Sequence, residues 1–170
     1  LVRRRHETQE VALGQKRRKE QGGPRVLQQG LDQFFVLNRD RFPGMLVFDK
    51  WTCNCDARQL VFHKAVPACR DDAPQYVATM IDKGFCFNAN EWNFPDAPLR
   101  GLYSRPAVYA GVAGWESFQP FLSRVENLEE DFLEEAAAAV PPEWYEGNTE
   151  ELRTLLGALA NRRRKVASLI

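Results

Sequence analysis

The chain has 170 residues, 23 Lys or Arg against 23 Asp or Glu, 44% apolar residues and 27% charged ones. That length suits one domain or one large lobe of a bigger one, and the composition excludes the disordered, collagen-like and disulfide-dense classes. No stretch reaches the 18 or so consecutive apolar residues of a membrane-spanning helix, and the Arg-rich start has no apolar leader, so the expected location is the cytoplasm.

Charge is unevenly spread. Residues 1–30 carry eight Lys or Arg against three Glu, a net +5, which leaves −5 for the rest. The segment lacks clear periodicity and is broken by Gly22-Gly23-Pro24. It reads as a basic, loosely held arm (residues 1–30) with one short helix over Glu7–Glu20, ahead of a folded lobe over residues 31–170. Such an arm can bind nucleic acid or an acidic surface. A neutral total charge argues against a wide electrostatic footprint, so nucleic acid ranks last among the partners.

Met45, Leu46, Val47, Phe48 and Trp51 fit a mostly buried helix after Pro43-Gly44. Leu60–His63 and Tyr76–Ile81 read as two strands joined by a loop with Pro67, Asp71, Asp72 and Pro74, hence a hairpin. Phe85, Phe87, Trp92, Phe94 and Tyr103 then alternate with Pro95, Pro98, Gly101 and Pro106. Aromatics bury a large area each, so this irregular stretch is expected to be pinned down, as a core cover or a substrate-side loop.

The last third is helical. One helix is expected over Leu122–Val140, stopping before Pro141-Pro142. Asn148 and Glu151 form a capping-box-like start for another, with Leu152, Leu155, Leu156 and Leu159 as its apolar stripe. Arg162, Arg163, Arg164 and Lys165 near its end suit the helix dipole and solvent. The fold class is α+β, dominated by helix. Cys53, Cys55, Cys69 and Cys86 lack the two-to-four-residue spacing of zinc loops, and buried thiols are the expected role.

Two carboxylates stand out by context. Asp56 lies in Asn54-Cys55-Asp56, between helix and hairpin, and Asp82 lies in Ile81-Asp82-Lys83-Gly84, just past the second strand. The hairpin would bring both to one end of the structure. Two carboxylates with an amide oxygen form a hard, oxygen-rich site suited to Mg²⁺, as phosphoryl transfer requires. Taken alone, each Asp is as well explained as a turn former.

The stretch Phe48–Phe62, the segment Met80–Asn88, the run Glu91–Gly101 and Gly114-Trp115-Glu116-Ser117-Phe118 resemble the bacterial HipA-like kinase domain family, over about three quarters of the chain. The resemblance implies the mostly helical C-lobe of a protein-kinase-like fold, with Mg²⁺ and ATP as cofactors and a nucleotide and a protein substrate as partners. It implies Asp56 as the catalytic aspartate and Asp82 as the metal-binding one. Gln59 or Asn54 would supply the second metal ligand. Departures are plain: Gln59 stands where the family places an Asn, and the Asp-Phe-Gly element reads Asp82-Lys83-Gly84. No Gly-rich phosphate loop or strand lysine is recognisable before residue 45, so the cofactor-binding residues are unassigned and the chain alone is expected to turn over ATP poorly. The alternative is a pseudokinase or binding module that recognises a protein partner through its aromatic loop.

Overall fold

Pro43, with φ fixed for a first turn, opens helix α1 (Phe42–Trp51) straight after a 3₁₀ turn at Arg39–Arg41. The computed structural model describes residues 35–56, 60–66 and 74–170. The basic arm, Gln59 and Cys69 lie outside the described residues. Val36–Ile170 forms one compact unit.

α1 is buried almost all round. Phe42, Met45, Leu46 and Val47 are buried, and so are Asp49 and Lys50. The hairpin follows: β2 (Leu60–Lys64) pairs antiparallel with β3 (Gln75–Met80), Leu60 opposite Met80 and Lys64 opposite Tyr76. β3 ends at Met80, one residue before the sequence reading, and Ile81 is exposed. The two-residue strand β1 (Phe35–Val36) sits on the other side of β3, giving the order β1-β3-β2. Just past β1, Asn38 Nδ2 donates to Ala78 O at 2.8 Å and Asn38 Oδ1 accepts from Ala78 N at 2.9 Å, so a side-chain amide occupies backbone groups that an edge strand would leave open.

The single helix expected over Leu122–Val140 is two helices. α2 (Gln119–Glu126) ends at Asn127, whose backbone N–H and Nδ2 both donate to Ser123 O. Glu129, extended at φ −64° and ψ 142°, then starts α3 (Glu130–Ala138). Between them Leu128 packs against the core shared by α3 and α4, and its carbonyl accepts from Arg163 Nη1. Ser, Asn and an inward Leu outweigh helix propensity here. α4 (Thr149–Arg162) opens as expected, with Asn148 Oδ1 accepting from Glu151 N at 3.1 Å. A 3₁₀ segment, Arg163–Leu169, closes the chain.

Among the described residues three apolar clusters meet around α1. The first joins Phe42 and Met45 to Ala78 and Val108, the second joins Val47 to Leu122 and Val166, and the third joins Leu133, Leu155 and Leu159 to the aromatic loop. Trp51 touches the last two clusters, and its indole N–H donates to Leu159 O at 3.0 Å. Among the described residues the fold is thus α+β, mostly helical, with a small sheet whose β2–β3 pair is antiparallel. Among the described residues no helix is long and apolar enough to cross a membrane.

Candidate functional site

The C-terminal end of α1 builds the site. Thr52 caps the helix, its N–H and Oγ1 both donating to Phe48 O. Cys53 then takes a left-handed turn at φ 50° and sends the chain back across the helix end. From there the chain runs beside the segment that follows β3. Cys55 N donates to Phe85 O at 3.0 Å, Phe87 N to Thr52 O at 2.6 Å, and Asn88 N to Cys53 O at 3.1 Å.

This backbone pairing fixes where the two aspartates fall. Asp56 comes one residue after Cys55, and Asp82 comes three before Phe85 and two after the end of β3. Both therefore lie at the same end of the hairpin, as the sequence order implies. Asp56 is half-buried, and its backbone N–H donates to Asn54 Oδ1 at 3.2 Å. Asp82 is exposed and left-handed at φ 52°, and its Oδ1 accepts from Gly84 N at 3.3 Å. Asp82 is thus also the turn former that its Asp-x-Gly context suggests.

Asn54, offered by the sequence as a metal-ligating amide, is only 2% exposed. Its Nδ2 donates to Asp49 Oδ1 at 3.2 Å while its Oδ1 accepts from Asp56, so it sits behind the loop. Among the described residues no group of three or more His, Cys, Asp or Glu side chains could hold a metal ion. Cys53 and Cys86 are buried and Cys55 half-buried, all as free thiols. Burial pushes the Cys86 thiol up from its ordinary value, offset in part by its contact with Thr52 Oγ1.

A polar layer that the sequence reading missed lies under the site. Lys50 Nζ donates to the carbonyls of Ala97 and Pro98. Burial, and then the charges of Arg162 and Arg100, hold its pKa below the ordinary lysine value. Arg100 Nη1 donates to Asn88 Oδ1 at 2.9 Å and to Cys53 Sγ at 3.3 Å. Arg162, expected in solvent at the helix end, is instead 6% exposed. Its Nε donates to Lys50 O at 2.8 Å, its Nη1 to Phe94 O at 3.0 Å, and its guanidinium lies over the Phe94 ring and beside Asp96. Its neighbours Arg164 and Lys165 are exposed, and Lys165 pairs with Asp96.

The aromatic loop is held onto this layer. Phe87, Trp92 and Phe94 pack into the cluster around Leu155 and Leu159. Phe87, Asn88, Ala89 and Trp92 all have positive φ. Asn88 Nδ2 donates to Asn93 Oδ1 at 2.7 Å, so its amide braces the loop from both sides. The phase of α4 would have revealed Arg162, since position 162 is seven residues on from Leu155 and falls on the same inward stripe. Compared with known proteins, the chain matches no family model, no curated protein and no solved structure.

Proposed function

We propose that this chain is the catalytic lobe of a HipA-like kinase, an ATP- and Mg²⁺-dependent phosphotransferase. The observation that carries this reading is the pairing of Thr52–Cys55 with Phe85–Asn88, which sets Asp56 and Asp82 at one end of the hairpin. In this reading Asp56 orients the acceptor hydroxyl and takes its proton, held in place by the Asn54 side chain behind it. Asp82 holds the metal.

The donor set suits Mg²⁺. It consists of hard carboxylate oxygens, exposed at Asp82 and half-buried at Asp56, and Mg²⁺ takes one or two carboxylates and completes its shell with phosphate oxygens and water rather than an all-protein cage. The lack of a larger ligand group among the described residues is compatible with that habit. When bound, Mg²⁺ supplies neutralisation of phosphate charge. Asn54 would act here as a support, and Gln59 remains the candidate for the second ligand.

The test compares melting of the wild type and Asp82→Asn with increasing Mg²⁺, with and without ATP. Asn keeps the size and the turn bond to Gly84 but loses the charge. At tenfold excess over Kd the wild type should gain about 1.4 kcal/mol, roughly 3–5 °C in Tm, and the variant much less. Equal gains in the two proteins would remove the metal site and leave a kinase-like shell, the binding-module alternative.

A further inference from the structure

We propose that Asp49 and Asn54 are a positioning pair, a buried carboxylate–amide relay that fixes the direction of the Asp56 loop. The inference rests on the reading of Asp56 and Asp82 as a working pair. Asp49 lies on α1 and is 1% exposed. A carboxylate is seldom so deeply buried, and an apolar side chain of similar volume is often at least as stable in such a place. Its presence calls for a role that an apolar residue cannot fill.

That role follows from what each group can donate. An asparagine side chain offers NH₂ at one end and oxygen at the other, and either end can face a neutral partner. Asp49 Oδ1 accepts from Asn54 Nδ2 at 3.2 Å, which fixes the NH₂ end of that amide toward the helix. Asn54 Oδ1 is thereby turned to the Asp56 N–H at 3.2 Å. Asn54 N also donates to Asp49 O at 3.0 Å, which ties the loop to the helix by backbone as well.

Asp49 is itself gripped from the far side. A Cβ at Gly101 would lie 2.8 Å from Asp49 Cβ, so the Gly101 backbone rests directly on it, at φ 84°. The neighbouring Arg100 reaches the same loop at Cys53. The relay therefore couples α1, the Asp56 loop and the end of the aromatic loop through one carboxylate.

The experiment uses the full chain in four forms: wild type, Asp49→Asn, Asn54→Asp and the swap Asp49→Asn with Asn54→Asp. In the swap a carboxylate at position 54 accepts from both the new amide and the Asp56 N–H, so the relay is rebuilt. The first readout is hydrogen exchange at the Asp56 amide. It should speed up about tenfold or more relative to amides in α1 in each single variant and return toward wild type in the swap. The second is Mn²⁺ affinity by electron paramagnetic resonance, expected to fall about 10–100-fold in the single variants, as for lost supports of metal ligands, and to recover in the swap.

A merely structural role would change exchange throughout the core and would show no rescue. An Asp56 amide unchanged in the single variants, or not recovered in the swap, overturns the relay. If Asp49→Asn does not fold, Asn54→Ser supplies the same comparison, since its hydroxyl cannot bridge both partners. A wild type that takes up no Mn²⁺ while the Asp56 amide behaves as described refutes the metal reading and supports the relay.

Discussion

Arg162→Ala should be among the most damaging single changes in this chain. The side chain is nearly inaccessible and closes two carbonyls, Lys50 O and Phe94 O. Each carbonyl left without a donor costs roughly 1–3 kcal/mol. Loss of the guanidinium over Phe94 adds about 0.5–1 kcal/mol. The contact with Asp96 counts for little, because that carboxylate is open to solvent and the separation is 3.5 Å. We expect a loss of about 3–5 kcal/mol, at the upper end of single-residue effects. Arg162→Lys should recover less than half, since an ammonium cannot reproduce the fork. The control is Arg164→Ala, two residues on and exposed, expected within about 0.5 kcal/mol of wild type. Urea unfolding at constant slope reads all three. Equal midpoints for Arg162→Ala and Arg164→Ala would refute the clamp and restore the view of the basic run as a solvated helix end.

Ala89 sits at φ 57° and ψ −127°, a region that suits glycine, so Ala89→Gly should raise stability by about 1 kcal/mol in thermal melts; a lower Tm would count against that backbone. Gly101→Ala should cost about 2 kcal/mol in urea, from the positive φ and the close Asp49 contact together; a neutral result would mean the loop is not seated on Asp49. The hydrogen bond from Lys165 holds the Asp96 carboxyl below its ordinary value of 3.8, so around that pH the native state binds fewer protons than the unfolded one. Stability from this pair is present above pH 3.8 and fades as pH falls through the lower native value. Lys165→Gln should flatten that acid limb, and high salt should do the same to the wild type; an unchanged acid limb would show the pair to be inert.

Much of the architecture is legible because it follows from short-range rules. The buried helix after Pro43, the hairpin and the Asn148 cap all come from periodicity and from residues with one local use. What periodicity hid was charge on a buried face. α1 is apolar on nearly every side, so Asp49 and Lys50 had to be inside, yet a charged residue in sequence reads as a surface marker. Arg162 was masked in the same way by the basic run around it, although its phase with Leu155 and Leu159 pointed inward. The break between α2 and α3 depended on where Leu128 could pack, which is a tertiary fact. The same end of the hairpin could be read for Asp56 and Asp82 from order alone; the partner of Asn54 could not, because Asp49 precedes it on another element.

The strain in the chain follows the same layer. Of the seven non-glycine residues with positive φ among those described, six lie at Cys53, Asp82, Phe87, Asn88, Ala89 and Trp92, in or beside the paired segments that carry the two aspartates. Such conformations cost on the order of 1–3 kcal/mol each and persist only where the surroundings over-determine them. Here the surroundings are Arg100 on Asn88 and Cys53, Lys50 on the carbonyls of Ala97 and Pro98, and Arg162 on Phe94. These three cations therefore hold a loop in a shape it would not keep by itself. A change that relaxes the loop, such as Ala89→Gly, should stabilise the chain while loosening the bracing beside Asp56, the usual conflict between stability and a strained site. Weakening the clamp at Arg162 should release the same loop from the opposite side. The two perturbations move stability in opposite directions, and a shared loss of order at the Asp56 loop would trace both to one strained, clamped element.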